Sequence, residues 1–154
     1  MNRPAAPADF ASASGNARSA ASGPVTAFER YRPYVLSLLR IMVGLLFLEH
    51  GLSKVIGFPP HGHMPVFPET EWFAGRIELI GGGLVALGLF TRLAAFIVSG
   101  EMAFAYFISH APRSFFPLLN GGEAAILFCF VFLYLVFAGG GPLSLDALLW
   151  GRRR

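Results

Sequence analysis

Four apolar blocks of similar length constrain this chain more than any other feature of its sequence, running roughly from Tyr34 to Gly57, Glu71 to Phe90, Arg92 to His110 and Gly122 to Gly139. Each is near the ~20 residues that a helix needs to cross a ~30 Å hydrocarbon core. Apolar residues arrive in long blocks rather than short alternating runs, so the expected class is all-α. Charged residues make up only 14% of the 154-residue chain, against about a quarter in ordinary soluble domains. The expected architecture is a four-transmembrane-helix bundle whose main partner is the lipid bilayer.

The breaks between blocks give the connectivity. Pro59 and Pro60 stop the first helix, and Pro65, Pro68, Pro112 and Pro117 occupy the later loops, where a residue without an N–H is tolerated. Little more than Thr91 and Arg92 separates the second block from the third, which forces antiparallel neighbours. Residues 1–30 are rich in Ala, Ser, Pro and Gly and read as a disordered N-terminal tail. Residues 31–150 then form the membrane domain and 151–154 a basic C-terminal tail. No continuous apolar h-region precedes Tyr34, so the first helix is expected to act as its own insertion signal.

Orientation follows from the basic residues. With the N-terminus inside, six arginines (Arg30, Arg32, Arg92, Arg152, Arg153 and Arg154) lie on the cytoplasmic side, against Lys54 and Arg113 on the other. The positive-inside rule therefore puts both termini in the cytoplasm of a multi-pass protein. The net charge of +3 is accounted for by such topology signals, and no nucleic-acid partner is expected. Tyr31, Tyr34, Trp72, Phe73 and Trp150 fall near block ends, as interfacial aromatic anchors do.

Ionisable residues inside the blocks carry the functional signal, because each costs at least about 2.5–3.5 kcal/mol at the bilayer centre and so faces the bundle interior or a wet cavity. At ~1.5 Å per residue, Glu49, His50, Lys54 and Glu78 share the outer half of the bundle. They are the candidate ligand-binding residues. Arg76, His110 and Glu123 approach the same side as supporting residues, and Arg40 and Glu101 count as supporting too, although they lie deeper and are expected to pair with each other. Arg40, Gly44, Phe47, Gly51 and Lys54 form one stripe of the first helix, and Gly75, Glu78, Gly82 and Val85 form one stripe of the second. Small residues on facing stripes let membrane helices approach closely.

Other residues yield less. His61 and His63 form an H-x-H pair, but two ligands do not make a zinc shell, so no metal site is expected. The single cysteine, Cys129, reads as a small buried apolar residue. The phenylalanines read as packing or lipid-facing groups. No cysteine pair or nucleotide loop supplies a recognisable redox cofactor.

Several runs together resemble the DoxX family of small bacterial membrane proteins. These are R-I-M-V-G-L-L-F-L-E-H-G-L-S-K-V-I-G from Arg40 to Gly57, R-I-E-L-I-G-G-G-L-V-A-L-G-L-F-T-R from Arg76 to Arg92, the proline after the third block, N-G-G-E at the start of the fourth, and G-P-L-S-L-D from Gly141 to Asp146. The resemblance covers about residues 34–149. It implies a four-helix protein of the bacterial inner membrane, linked to quinone-dependent redox systems and to other subunits of such complexes. Quinone is the cofactor or ligand class it brings in, and it does not establish catalysis.

The leading expectation is an accessory or quinone-interacting subunit of a membrane redox system, in which His50 and Lys54 hydrogen-bond quinone carbonyls and a carboxylate relays the proton. A second is an assembly protein whose intramembrane charges are structural, and a third is a small transporter. A cavity walled by Glu49, His50, Lys54 and Glu78 would favour the first, and closed ion pairs the second.

Overall fold

The computed structural model describes residues 24–60 and 62–151, and every element among them is helical. The helices are α1 (Pro24–Ile56), α2 (Thr70–Leu87), α3 (Thr91–Ala105), α4 (Pro117–Asn120), α5 (Glu123–Ala138) and α6 (Leu145–Trp150). A five-residue π-helical segment, Tyr106–His110, continues α3. Phe28–Ile56 and Thr91–His110 are long and apolar enough to cross a membrane, and Glu123–Ala138 is a shorter apolar helix. Residues 1–23, His61 and the three terminal arginines, on which part of the tail, metal and topology expectations rest, lie outside the described residues.

Residues 24–30 are already helical as part of α1, where a tail was expected. The segment Val25 to Tyr31 contains no glycine or proline. Its short apolar content hid it from a reading based on hydrophobic blocks.

From Arg32 onward, α1 and α2 meet through their glycines. A Cβ added to Gly44 would lie 2.5 Å from the backbone nitrogen of Ala86, and one added to Gly82 would lie 2.6 Å from that of Leu48. Only backbone fits at these crossings, as the facing stripes predict. Helices α3 and α5 close the core, with Val98, Ala95 and Met102 buried alongside Phe132 and Leu135. Phe132 packs edge-on against Phe47 of α1, ring centroids 4.9 Å apart.

Polarity is distributed opposite to that of a soluble protein. Ser37, Arg40, Glu78, Thr91 and Ser99 are buried, while Leu38, Leu45, Ile80, Phe96, Leu127 and Phe137 are exposed. Apolar surface spread over all four long helices is the surface a lipid solvent calls for, since aqueous solvent rarely tolerates large contiguous apolar patches.

One end of the bundle is clamped by Arg40, and here the expected pairing with Glu101 is corrected. Arg40 is fully buried and donates to four backbone carbonyls. Nε reaches Gly140 O at 2.8 Å, Nη1 reaches Val85 O and Ala86 O at 2.6 and 2.5 Å, and Nη2 reaches Leu143 O at 2.6 Å. Val85 and Ala86 belong to the last turn of α2, where carbonyls lose their helical partners and the helix dipole is negative. All four of these hydrogen bonds go to carbonyls, while the Asp146 carboxylate lies close enough to act on the guanidinium through charge alone. Gly88, at φ 70°, ends α2, with Leu89 N bonded to Leu84 O and Gly88 N to Val85 O, the Schellman arrangement.

The C-terminal segment completes the clamp. Asp146 accepts from Phe90 N at 2.7 Å and Thr91 N at 2.8 Å, placing a carboxylate on the orphan N–H groups that open α3. Ser144 caps α6 by accepting from Ala147 N at 3.1 Å. The runs around Arg40, Gly88 to Arg92 and Gly141 to Asp146, which carry much of the family resemblance, are therefore three parts of one structural device.

Candidate functional site

Gly75 is the residue that lets a charged group enter the opposite end of the bundle. A Cβ there would come within 2.7 Å of Lys54 Cβ, so its absence allows the Lys54 stem to lie across α2. One turn further along α2, Glu78 receives the ammonium, with Lys54 Nζ 2.6 Å from Glu78 Oε1. The pair is asymmetric, since the Glu78 side chain is 3% exposed and that of Lys54 is 29%. Glu78 Oε2 and both carboxylate oxygens of Glu101 are buried with no hydrogen-bond partner among the described residues.

These groups line a cavity of about 410 Å³ whose wall includes His50, Lys54, Glu78, Glu101 and His110, together with Phe47, Phe104 and Phe128. Its size falls within the roughly 300–1,000 Å³ of small-molecule sites. A second, more open cavity of about 620 Å³ is lined by Glu49, Ser53 and His63 and shares His50, Lys54 and His110 with the first. A larger concavity of about 700 Å³ lies beside the Arg40 clamp, but its Asp146 and Arg92 already serve Phe90, Thr91 and Val136.

His50 and His110 stand at the junction of the two cavities, and each is oriented by one ring nitrogen. His50 Nδ1 lies 2.8 Å from Leu46 O, and the His50 ring meets Phe128 edge-on at 5.8 Å. His110 Nδ1 lies 3.1 Å from Asn120 O. In both residues Nε2 remains for other partners. The π-helical segment ending at His110 departs from regular α-helix, a type of local irregularity that often marks functional positions.

Of the four ligand candidates, the structure joins His50, Lys54 and Glu78 on one cavity and places Glu49, which is exposed, only on the more open one. Glu101 moves from supporting residue to cavity wall. Arg76 does not enter either cavity: its guanidinium lies 3.2 Å from the centroid of the Trp72 ring and donates to Trp72 O at 2.8 Å. Its wheel position, about 200° from Glu78, keeps it out of the groove that Glu78 enters. Glu123, the first residue of α5, is exposed and lines neither cavity. Arg40 belongs to the opposite clamp.

Sequence reasoning missed Ser53, whose hydroxyl donates to Pro59 O at 2.8 Å, and Asn120. Asn120 Nδ2 donates to Ser114 O at 2.8 Å and its Oδ1 accepts from Gly122 N at 2.7 Å. Asparagine before a Gly-Gly pair was the available signal, since this side chain ties its own turn. His63 meets Glu69 at 3.3 Å, and among the described residues no group of three or more His, Cys, Asp or Glu is placed to hold a metal.

The arrangement fits known relatives. The sequence pattern of the DoxX family matches residues 35–111. An uncharacterized protein of Haemophilus influenzae is 48% identical over 124 residues, covering 77% of this chain and 92% of that protein. The chain belongs to the DoxX family. This DoxX protein is also similar to the Bacillus subtilis protein named "Putative oxidoreductase CatD", with 28% identity across 73% of the chain and 85% of the relative. An uncharacterized membrane protein of Mycobacterium tuberculosis is 27% identical across 72% of the chain and 78% of that protein. No solved structure matches the chain. Family membership makes this a membrane protein, in keeping with its exposed apolar faces.

Proposed function

We propose that this DoxX protein is a quinone-interacting subunit of a redox system in the bacterial inner membrane. The observation that carries the reading is the cavity in which His50, Lys54, Glu78 and Glu101 converge beside Phe47, Phe104 and Phe128. The aromatic side chains offer apolar surface to a planar ring, Lys54 keeps two further N–H groups for its oxygens, and His50, whose Nδ1–H is spent on Leu46 O, presents Nε2 as an acceptor beside the carboxyl groups. A relative named as an oxidoreductase supports the redox assignment.

In this reading α1, α2, α3 with its π-helical extension, and α5 all cross the bilayer, residues 31–150 act as the membrane domain, and both termini are cytoplasmic. At 18 and 16 residues, α2 and α5 reach about 27 and 24 Å at ~1.5 Å per residue. That is close to the thickness of the hydrocarbon core. Reporter fusions after Arg92 and Arg154 are expected to report cytoplasm, and fusions near His63 and Arg113 the outer side. A cytoplasmic result at His63 would invert the arrangement.

His50→Ala tests the site with little risk to the fold, because His50 is exposed and its ring bonds only within its own helix. The variant should keep its thermal midpoint in detergent and lose about tenfold or more in quinone affinity, the loss of one hydrogen bond in a confined site. Parent-like quinone binding by a folded variant would remove His50 from the site.

The direct Lys54–Glu78 contact favours a second reading, an assembly protein in which these charges hold helices together without turnover. Copurification from native membranes separates the two, since a ligand subunit should carry quinone and an assembly protein only partner chains.

A further inference from the structure

The inner cavity, at about 410 Å³, encloses a substituted ring but not the long isoprenoid chain that makes a quinone soluble in a bilayer. A chain attached to the ring has to leave between two helices. Helices α2 and α3 supply an exit. Their short connection holds them together at one end, and a Cβ on Gly81 would collide with Val98 Cγ1, so they touch closely at that level. Nearer their other ends, Ala74 and Glu78 of α2 and Glu101, Phe104 and Ile108 of α3 all line the cavity, and the helices part around it. Phe104 and Ile108 are also 58% and 50% exposed, which makes this stretch of cavity wall part of the bilayer-facing surface.

An apolar groove continues from the same two helices. Its volume is about 220 Å³, and it is lined by Ile77, Ile80, Gly81, Leu84, Ala94 and Ile97, together with Arg76, whose guanidinium is turned onto Trp72. Ala74, Ile77, Gly81 and Leu84 recur at helical spacing on α2, as do Ile97, Glu101, Phe104 and Ile108 on α3. On each helix the cavity takes one part of the stripe and the groove takes the rest. From Ile77 to Leu84 the groove follows α2 for about 10 Å at ~1.5 Å per residue, away from the carboxyl groups and into the hydrocarbon core. Its apolar lining suits a hydrocarbon chain, and its position gives that chain a head in the cavity.

We propose that this groove seats the first isoprene units of a prenylated quinone whose ring occupies the inner cavity, the chain passing between Ala74 and Phe104. This rests on the quinone reading above and adds recognition of the tail. Lipid chains are as apolar as the groove, so the gain on binding comes from close packing against fixed side chains rather than from removal of water.

The test is equilibrium titration of the full chain in detergent with a tail-free benzoquinone and with the same ring carrying two isoprene units, at matched micellar concentrations. The parent should bind the prenylated form at least about fivefold more tightly. Ile80 and Ile97 are 64% and 49% exposed, so Ile80→Trp and Ile97→Trp should fold, fill the groove and abolish that gain while tail-free affinity stays parental. Phe96→Trp, an exposed position outside the groove, should keep it. A diazirine at the far end of the chain should label residues 76–84 or 94–97 of the parent, a readout that needs no variant. The proposal is overturned by a parent that gains nothing from the chain, by folded groove variants that keep the full gain, or by labelling confined to other segments. Labelling of the groove by a diazirine-bearing phospholipid and not by the prenylated quinone gives the groove to an acyl chain and overturns it as well. In each of these results tail-free binding leaves the quinone reading intact, whereas failure of both quinones to bind removes that reading and the proposal together.

Discussion

Arg40→Ala is expected to lower the stability of the bundle by about 3–5 kcal/mol or to prevent accumulation of the protein, the range seen when a buried polar network loses its charged member. The substitution removes a donor from carbonyls on two segments at once, Val85 and Ala86 at the end of α2 and Gly140 and Leu143 in the α5–α6 connection, with only Val85 keeping a second donor, Gly88 N. Each buried group left without a partner adds to the cost. Arg40→Lys should recover little, because one ammonium cannot span carbonyls that the planar guanidinium fork reaches from three nitrogens. Thermal unfolding in detergent measures both variants. A parental midpoint for Arg40→Lys would show that charge alone, rather than the fork, holds the clamp. The affinity of any folded Arg40 variant for quinone should stay parental, since the clamp and the cavity share no residue.

The elements were legible where a single physical signal dominated. Long apolar blocks gave the four main helices, and glycine spacing gave the α1–α2 crossing that Gly44 and Gly82 make by backbone contact. Lys54 and Glu78 could be brought together because depth and helical phase both follow from a straight α-helix. Arg40 was misassigned for a definite reason. Counting side-chain charges finds only carboxylates as partners, whereas the free carbonyls at a helix end belong to the backbone and leave no letter in the sequence. Asp146 was overlooked likewise, because its partners are the N–H groups of Phe90 and Thr91. The π-helical segment at Tyr106–His110 lies in an apolar run indistinguishable from regular α-helix by composition, so the placement of His110 on both cavities emerges only from the fold. Glu101 was given a partner on depth alone, and its true neighbours depend on how α3 is rotated against α2.

Lys54 and Glu78 should respond unequally to removal of one another, because their burial differs. In Lys54→Met, Glu78 keeps its nearly inaccessible position, 3% exposed, with no donor on either oxygen, and the expected loss is about 3–5 kcal/mol for an uncompensated buried charge. In Glu78→Gln, Lys54 retains the freedom of a side chain 29% exposed and turns toward the open cavity, so the expected loss is about 1 kcal/mol, near the worth of an ordinary hydrogen bond. The double variant Lys54→Met/Glu78→Leu should recover most of the stability lost by Lys54→Met, because exchanging a buried pair for apolar side chains of similar volume is often neutral. Unfolding midpoints for the three variants close this cycle. Equal losses in the two single variants would mean that the pair shares one environment, which would contradict the asymmetric burial. Quinone titration of the recovered double variant then separates structure from function. If the pair serves only to join α1 and α2, stability returns and nothing else changes, whereas a ligand site that uses Lys54 and Glu78 loses its affinity even as the fold is restored.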